Sequence, residues 1–250
     1  METSQNQSRS QNDLIHIYTI AYNEEVLLQK MIDHYRERFP DCLITVYDNQ
    51  STDSTRLIAL NNGCEVIEYD SNNEIRDDLY LKIKNNCWKG QKERWALIVD
   101  VDEFVYINQE ELLLEQENGT TLVSFQGWNM ITLSDDPDII DLNPQWASRA
   151  PQYDKAYLFD TLSIIDINYS AGCHYCSPVG KIKYGEHLYL MCHFKALGLN
   201  YMINRHTEFG KRLSKQNLEK GWGFHYKDSE QQIRDNWRFY QTHPDNKKVL

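Results

Sequence analysis

The sequence has neither an excess of positive charge nor a long apolar run. Its 250 residues include 26 lysines and arginines but 37 aspartates and glutamates, which gives a net charge of −11. This balance argues against proteins that bind duplex nucleic acid or anionic membranes, because both classes present a basic surface. No apolar run approaches the roughly 18 residues that span a bilayer, so we expect no transmembrane segment. Residues 1–13 are polar, and we expect a disordered tail there rather than a signal peptide.

The sequence also lacks the cysteine pattern of a disulfide framework. Its six cysteines are scattered along the chain, which is typical of reduced core thiols in a cytoplasmic protein. With 41% hydrophobic and 12% aromatic residues, the chain can bury one sizeable core. We therefore expect a cytoplasmic protein with one domain over residues 14–250.

Strand and helix signals alternate in the first half of the chain. Apolar strands are predicted at 14–20, 43–47, 64–68 and 95–99, and helices begin near residues 23, 54 and 77, the last running to about residue 89. This order predicts an α/β fold with a mostly parallel sheet and right-handed crossovers. The second half is less regular. Shorter strands at 120–125, 156–159, 163–167 and 188–193 are separated by long polar loops, and a helix is predicted at 230–240.

The most informative feature is a pair of carboxylates after the fourth strand. Asp100 and Asp102 follow the apolar run 95–99, at the expected C-terminal end of a buried strand. Ligand crevices of open α/β sheets lie at that edge. Two hard oxygen ligands this close suit Mg²⁺ or Mn²⁺, which complete their shells with water and substrate phosphate. The alternative is an ordinary acidic strand end in an acidic chain.

Three motifs at three strand ends together resemble one family. Residues 19–24 end in Tyr-Asn-Glu, residues 48–53 read Asp-Asn-Gln-Ser-Thr-Asp, and residues 100–104 read Asp-Val-Asp-Glu-Phe. In this order they resemble the nucleotide-sugar-dependent glycosyltransferases of the GT-A fold, and in particular the family-2-like group. The resemblance covers about residues 14–226. It implies transfer of a sugar from a nucleoside diphosphate, with UDP favoured, to a hydroxyl of a glycan, lipid-linked or protein-linked acceptor, with inversion.

The resemblance also implies how the domain is organised. A GT-A (Rossmann-like) fold has a mostly parallel central sheet flanked by helices. The nucleotide-sugar-binding half would cover residues 14–107. A less regular acceptor-side half, which completes the metal site, would cover 108–227, and a C-terminal helix and tail would cover 228–250.

A divalent cation site is implied by the same resemblance. Asp102 would ligate Mn²⁺ or Mg²⁺, and Asp100 would contact the ribose or reach the metal through water. The metal neutralises charge on the departing diphosphate. His193 is the first choice for a third ligand, and His174 is its competitor. Glu103 is either a supporting group behind these ligands or a solvent-facing carboxylate.

Donor binding is implied for a larger set of residues in the strand-end loops. Tyr22 and its neighbours would line the base pocket, and Asp48 or Asn49 would bind the base or ribose. Lys84 and Asn85 stand where related enzymes carry an Arg-Asn pair. The complete set of donor contacts is Ala21, Tyr22, Glu24, Asp48, Asn49, Lys84, Asn85, Asp100, Val101, Lys155 and Lys195.

The general base is not identified by the sequence. An inverting transferase needs a carboxylate that deprotonates the acceptor hydroxyl. Asp135, Asp136 and Asp154 lie in loops that could reach the site, and nothing in the sequence ranks them. The run 212–226 contains glycines, aromatic residues, Arg212 and His225, and suits either a lid over the donor or plain packing.

Other classes of site and function remain open at this level. Cys173-x-x-Cys176, followed by Cys192-His193, resembles the spacing of zinc ligands. A sugar nucleotidyltransferase shares the fold but needs a Gly-rich phosphate loop after the first strand, where this chain has Ala-Tyr-Asn-Glu. A non-catalytic nucleotide- or carbohydrate-binding protein is the third alternative.

Overall fold

Strands and helices alternate in the first half, as the sequence predicts. The computed structural model describes residues 15–250, so the tail expected at 1–13 lies outside the described residues. The elements are β1 (Ile15–Ala21), α1 (Leu28–Arg38), β2 (Leu43–Asp48), α2 (Thr55–Asn61), β3 (Glu65–Glu68), α3 (Asp77–Lys84) and β4 (Trp95–Ile98). β1 pairs in parallel with both β2 and β4, and β2 pairs in parallel with β3. The carboxyl ends of these strands therefore meet at one edge of the sheet.

The second half extends this sheet with strands of mixed direction. Its main elements are β5 (Glu103–Tyr106), α4 (Gln109–Glu117), β6 (Leu122–Ile131), β7 (Trp146–Arg149), β8 (Leu158–Asp160), β9 (Ile164–Asp166), β10 (Val179–Gly180), β11 (Tyr184–Ala196), α5 (Leu199–Arg212), α6 (Lys215–Lys220), α7 (Glu230–Thr242) and β12 (Lys247–Lys248). Short 3₁₀ helices cover Pro151–Tyr153, Ala171–Cys173 and Phe224–Lys227.

The long strands β6 and β11 join the two halves. β8 lies antiparallel between β4 and β6, while β11 runs parallel to β6 and antiparallel to β5. More residues pair in parallel than in antiparallel register across the sheet, and helices flank it. The α/β fold class predicted from the sequence is confirmed.

The sheet separates two apolar layers. Helix α1 buries Leu28, Met31, Ile32 and Tyr35 on one face, and these side chains belong to the larger core. A second apolar cluster contains other side chains of the sheet strands, including Phe159, together with Trp88. None of the helices within residues 15–250 combines the length and apolarity that crossing a bilayer requires.

Within residues 15–250, the α-helices that the sequence does not predict are α4, α5 and the short helix α6. Helix α4 begins with a capping box, in which Asn108 Oδ1 accepts from the Glu111 N–H at 3.0 Å and Glu111 Oε2 accepts from the Asn108 N–H at 2.8 Å. Helix α5 begins after Gly198 and buries Met202 and His206, which are four residues apart.

One predicted helix is shorter than expected. Helix α3 ends at Lys84 rather than near residue 89. The next residue, Asn85, uses its side chain to bind the backbone of Tyr169, with Oδ1 accepting from the Tyr169 N–H at 2.7 Å. This contact fixes the turn that follows the helix.

Candidate active site

A cleft of about 410 Å³ opens at the carboxyl ends of β1 and β4. That volume suits a small-molecule site. One wall comes from the β1–α1 loop, α3 and the turn at 100–103, and the other wall comes from residues 153–155, the end of β11, α5 and residues 221–226. Of the residues that the sequence singles out, those lining the cleft are Ala21, Tyr22, Glu24, Lys84, Asp100, Val101, Asp102, Glu103, Lys155, His174, His193, Lys195, Arg212 and His225.

The β1–α1 and β2–α2 loops are joined by side-chain hydrogen bonds. Asn23 Oδ1 accepts from the Thr52 N–H at 2.8 Å. Asp53 Oδ2 accepts from the Glu25 N–H at 3.1 Å, and Glu25 Oε2 accepts from the Ser54 N–H at 3.0 Å. These bonds satisfy backbone donors where α1 and α2 begin. The Tyr-Asn-Glu and Ser-Thr-Asp motifs therefore form one structural unit beside the cleft.

Asp100 is held by a lysine and by the backbone of its own turn. Lys84 Nζ lies 2.5 Å from Asp100 Oδ1. Burial alone would raise the pKa of Asp100, but the positive charges of Lys84 and Lys155 hold it below its usual value. Asp100 is therefore ionised at neutral pH.

Glu103 is buried and supports this turn. Its Oε1 lies 2.5 Å from Lys155 Nζ and accepts from the Tyr157 hydroxyl at 3.2 Å, while Oε2 accepts from the Asp100 N–H at 2.9 Å. Because the residue is only 2% exposed, the alternative of a solvent-facing carboxylate is wrong. Glu103 fixes both the backbone of Asp100 and the ammonium group of Lys155.

Asp102 is paired with an arginine that the sequence analysis does not identify. Arg205 Nη2 lies 3.5 Å from Asp102 Oδ2 and 2.8 Å from Glu24 Oε1. His193 Nε2 lies 3.5 Å from the same Asp102 oxygen. Burial alone would raise the pKa of Asp102, but His193, Arg205 and Lys155 hold it well below its usual range. Arg205 lies on α5, whose spacing of Met202 and His206 is the signal that could have located it.

His193 is oriented by two neighbours from the second half of the chain. Asn129 Oδ1 lies 2.9 Å from His193 Nδ1, and the Tyr153 ring packs against the imidazole at a centroid distance of 4.1 Å. With the Nδ1 hydrogen donated to Asn129, the Nε2 nitrogen faces Asp102 as a possible ligand.

The donor set at Asp102 and His193 fits a divalent cation of the Mg²⁺ or Mn²⁺ type. A carboxylate oxygen and an imidazole nitrogen face the same space, and such ions take their remaining ligands from water and phosphate. Within residues 15–250 no three His, Cys, Asp or Glu side chains converge into a complete metal cluster. His174 lies apart from this pair, with Nδ1 2.8 Å from the Gln152 carbonyl.

Unpartnered polar atoms lie on Arg212, which lines the cleft, and on Asp48, which is buried outside the cleft lining. The Arg212 guanidinium packs over the Tyr22 ring, with 3.2 Å between its central carbon and the ring centroid. Within the part of the chain that the structure describes, Arg212 Nη2 and Asp48 Oδ2 are buried without a hydrogen-bond partner. Buried polar atoms of this kind indicate a missing polar partner.

Several predicted residues lie outside the cleft lining. Asn49 exchanges hydrogen bonds with Ser71, and Asn85 binds Tyr169. Asp154 Oδ1 accepts from the Gly127 N–H at 2.7 Å, and its other oxygen pairs with Arg149. The exposed residues Asp135 and Asp136 lie in a surface loop, and Asp136 Oδ1 accepts from the Asp138 N–H. The structure therefore brings none of the three base candidates from the sequence into the cleft.

Asp77 is a cleft carboxylate that the sequence analysis does not select. It begins α3, and its Oδ2 accepts from Asn217 Nδ2 at 2.9 Å. Four other carboxylates of the cleft form ion pairs with lysine or arginine, namely Glu24, Asp100, Asp102 and Glu103. Asp77 instead accepts a hydrogen bond from a neutral amide. Burial raises the pKa of Asp77.

The cysteine spacing does not assemble a zinc site among residues 15–250. Cys173 and Cys176 pack with the cluster that contains Trp88, whereas Cys192 belongs to the larger core. Cys192 and His193 are adjacent on β11, so their side chains point to opposite faces of the strand.

Comparisons with known proteins show distant structural similarity alone. No known protein family matches the sequence, and no curated protein matches it. Residues 1–349 of S. aureus TarS match with 14% identity and a TM-score of 0.46, over 90% of this chain and 78% of that chain. The same protein in complex with UDP-GlcNAc matches with 14% identity and a TM-score of 0.46, over 92% and 74%.

A third similar structure covers a smaller part of the chain. It is glucosyl-3-phosphoglycerate synthase from Mycobacterium tuberculosis in complex with Mn²⁺, UDP and glucosyl-3-phosphoglycerate, with 18% identity and a TM-score of 0.33, over 47% of this chain and 44% of that chain. TM-scores this low carry no argument about the function of this chain.

Proposed function

We propose that this chain is a Mn²⁺- or Mg²⁺-dependent glycosyltransferase that moves a sugar from a nucleoside diphosphate to a hydroxyl acceptor, with inversion. The observation that carries the proposal is the placement of Asp100 and Asp102. Both follow β4 at the carboxyl edge of the parallel strands, in a cleft that also contains Tyr22, His193 and several cationic side chains. Ligands of open α/β sheets bind at this edge.

Asp102 and His193 would hold the divalent cation, and Asn129 would keep His193 in the ligating orientation. The cation supplies charge neutralisation to the departing diphosphate. Lys84 fixes Asp100 and keeps it ionised, and Lys155 fixes Glu103 by a buried ion pair. The chain therefore offers a preorganised arrangement in which a charged donor is bound without large rearrangement.

The nucleobase would bind against the stacked Tyr22 and Arg212 side chains, where it would reach the unpartnered atoms of Asp48 and Arg212. A carboxylate accepts a ring N–H, and a guanidinium donates to a ring carbonyl. Uracil offers an N–H flanked by carbonyls, which complements this pair, so UDP is the favoured nucleotide. Guanine offers a related edge, so GDP is the nucleotide to compare with it.

Asp77 replaces the loop aspartates as the base that we propose for the acceptor hydroxyl. It lines the cleft, has no cation among its hydrogen-bond partners within the described residues, and burial raises its pKa. Both properties suit proton abstraction near neutral pH. Asp77→Asn should lower kcat at least 100-fold while the affinity for nucleotide changes little.

The first experiment is a thermal-shift panel of UDP, GDP, CDP and dTDP, each with Mn²⁺ and with EDTA. A ligand at about 100 times its Kd stabilises the native state by about 2.7 kcal/mol. In a domain of this size that corresponds to a rise in Tm of roughly 5–11 °C. We expect such a rise with UDP and Mn²⁺ together.

Variants separate a metal site from general nucleotide binding. Asp102→Asn should remove the Mn²⁺-dependent part of the shift, whereas the exposed Asp245→Asn should retain it. A shift that is equal in Mn²⁺ and EDTA would contradict the metal role. A metal-dependent shift without release of UDP from any UDP-sugar would favour the non-catalytic binding protein.

A further inference from the structure

Three basic side chains in the acceptor-side wall of the cleft are not used by the proposed donor site. They are Lys195 at the end of β11, His206 on α5 and His225 in the 3₁₀ helix Phe224–Lys227, and all three line the cleft. Lys84, Lys155 and Arg205 form ion pairs with carboxylates of the cleft, and Lys195 belongs to none of these pairs. These three residues are called the basic cluster below.

The members of the basic cluster face one another across three elements. The rings of His206 and His225 have centroids 5.9 Å apart, and the Tyr226 ring packs against both at 5.4 and 4.1 Å. The charge of Lys195 acts on both imidazoles, next in effect to burial, and the pKa of His206 falls to about 4. At neutral pH the cluster therefore combines the Lys195 ammonium group with two neutral imidazoles, each of which can donate one N–H.

His206 is the strongest indication that a ligand is missing. The residue is 5% exposed, and within residues 15–250 neither of its ring nitrogens makes a hydrogen bond of good geometry, although the backbone of His225 lies close enough to act on its pKa. Leaving a buried donor or acceptor without a well-formed hydrogen bond costs free energy. A ligand that accepts hydrogen bonds from His206 and Lys195 would recover this free energy.

The basic cluster comes from the second half of the chain, as do His193 and Arg212 of the proposed donor site. Asp77, Lys84 and Tyr22 belong to the first half of the chain, whereas the basic cluster comes entirely from β11, α5 and the 3₁₀ helix that follows α6. The negative charges of Asp102 and Asp228 partly offset the lowering of the Lys195 pKa by burial. Neither carboxylate forms an ion pair with Lys195 in the part of the chain that the structure describes. An acceptor that binds against β11, α5 and the 3₁₀ helix Phe224–Lys227 would contact all three members of the basic cluster.

We propose that Lys195, His206 and His225 form a subsite for a phosphate-type oxyanion carried by the acceptor. The proposal rests on the glycosyltransferase function proposed above. Three donors on three different elements suit an oxyanion with several acceptor oxygens, and cationic or imidazole donors form the stronger, charge-assisted bonds to such a group. The substrate class is therefore a hydroxyl acceptor that bears a phosphoryl group.

The test is calorimetric titration of inorganic phosphate into the protein saturated with UDP and Mg²⁺. We expect phosphate to bind to this complex, and His206→Gln or His225→Gln to weaken that binding roughly 10- to 100-fold, as expected for loss of one hydrogen bond to a charged group. UDP affinity should be unchanged in both variants. The exposed His187→Gln is the matched control and should bind phosphate normally.

Four results would overturn the proposal. UDP could displace phosphate, which would assign the cluster to the donor diphosphate. Phosphate could fail to bind, or bind equally well to the two cleft variants and the wild type. Acetate could bind as tightly as phosphate, which would indicate a carboxylate acceptor. If the protein binds phosphate but binds no nucleotide with any divalent metal, the anion subsite is retained and the glycosyltransferase function is contradicted. Failure of the subsite and failure of the proposed function are therefore distinguishable.

Discussion

Replacing Arg205 by methionine tests the ion network that joins the two walls of the cleft. Arg205 contacts Glu24 at 2.8 Å and Asp102 at 3.5 Å, and the three side chains are 18%, 8% and 12% exposed. Removing one partner of a buried ion pair costs about 3–5 kcal/mol, because it leaves an uncompensated charge in the interior. In a domain of this size the corresponding fall in Tm is roughly 6–20 °C.

The loss should depend on pH in a defined direction. Burial already raises the pKa of Glu24 even with Arg205 present, and without the guanidinium it rises further. The folded variant then binds more protons than the unfolded chain, so its stability falls as the pH increases above the unfolded pKa of Glu24. The stability difference between Arg205→Met and wild type should therefore be larger at pH 7 than at pH 5.

Urea denaturation at both pH values is the assay. Arg234→Met is the control, since Arg234 pairs with Glu230 on the exposed face of α7 and an exposed pair of this spacing contributes below about 0.5 kcal/mol. Glu24→Gln in the Arg205→Met background should restore part of the lost stability. If Arg205→Met costs no more than Arg234→Met at pH 7, the network does not stabilise the fold and this reasoning is refuted.

Three further predictions concern residues behind the site. Asn129→Ala should weaken Mn²⁺ binding about 10- to 100-fold with the fold retained, because His193 loses its orienting partner; an unchanged metal affinity by titration would contradict that role. Tyr35→Phe should lower the unfolding free energy by about 1–3 kcal/mol in urea, since the hydroxyl donates to the Glu103 carbonyl at 2.7 Å; a neutral result would show that water replaces it. Lys155→Met should lower the unfolding free energy by about 3–5 kcal/mol, because it leaves Glu103 without its ion-pair partner. The double variant Lys155→Met/Glu103→Gln should recover part of that stability. Equal stability of the single and double variants would contradict the pairing.

The architecture of the first half is predictable because its signals are local. Apolar strands such as β4 are read directly from the sequence, and parallel pairing follows from the alternation with helices. Once the strands are parallel, Tyr22 and Asp100 must approach one edge of the sheet. This geometric necessity explains why motifs far apart in sequence could be placed together.

The second half is less predictable because its important contacts are long-range. Arg205 meets Glu24 across 181 positions of the chain, and no local pattern specifies that encounter. The helix that carries Arg205 also has a polar sequence, so its amphipathic spacing is weak evidence without the neighbouring strands. Asp154 illustrates the opposite error, because its place in a loop that could reach the site suggested function while its oxygens bind Gly127 and Arg149.

The bonds between the β1–α1 and β2–α2 loops have a consequence for the entropy of ligand binding. A loop that becomes ordered only around its ligand loses conformational freedom at that moment, and affinity is reduced accordingly. Asn23, Thr52 and Asp53 hold both loops through folding itself. The end of the cleft beside Tyr22 is therefore shaped in advance, and a ligand that binds there does not have to order these two loops.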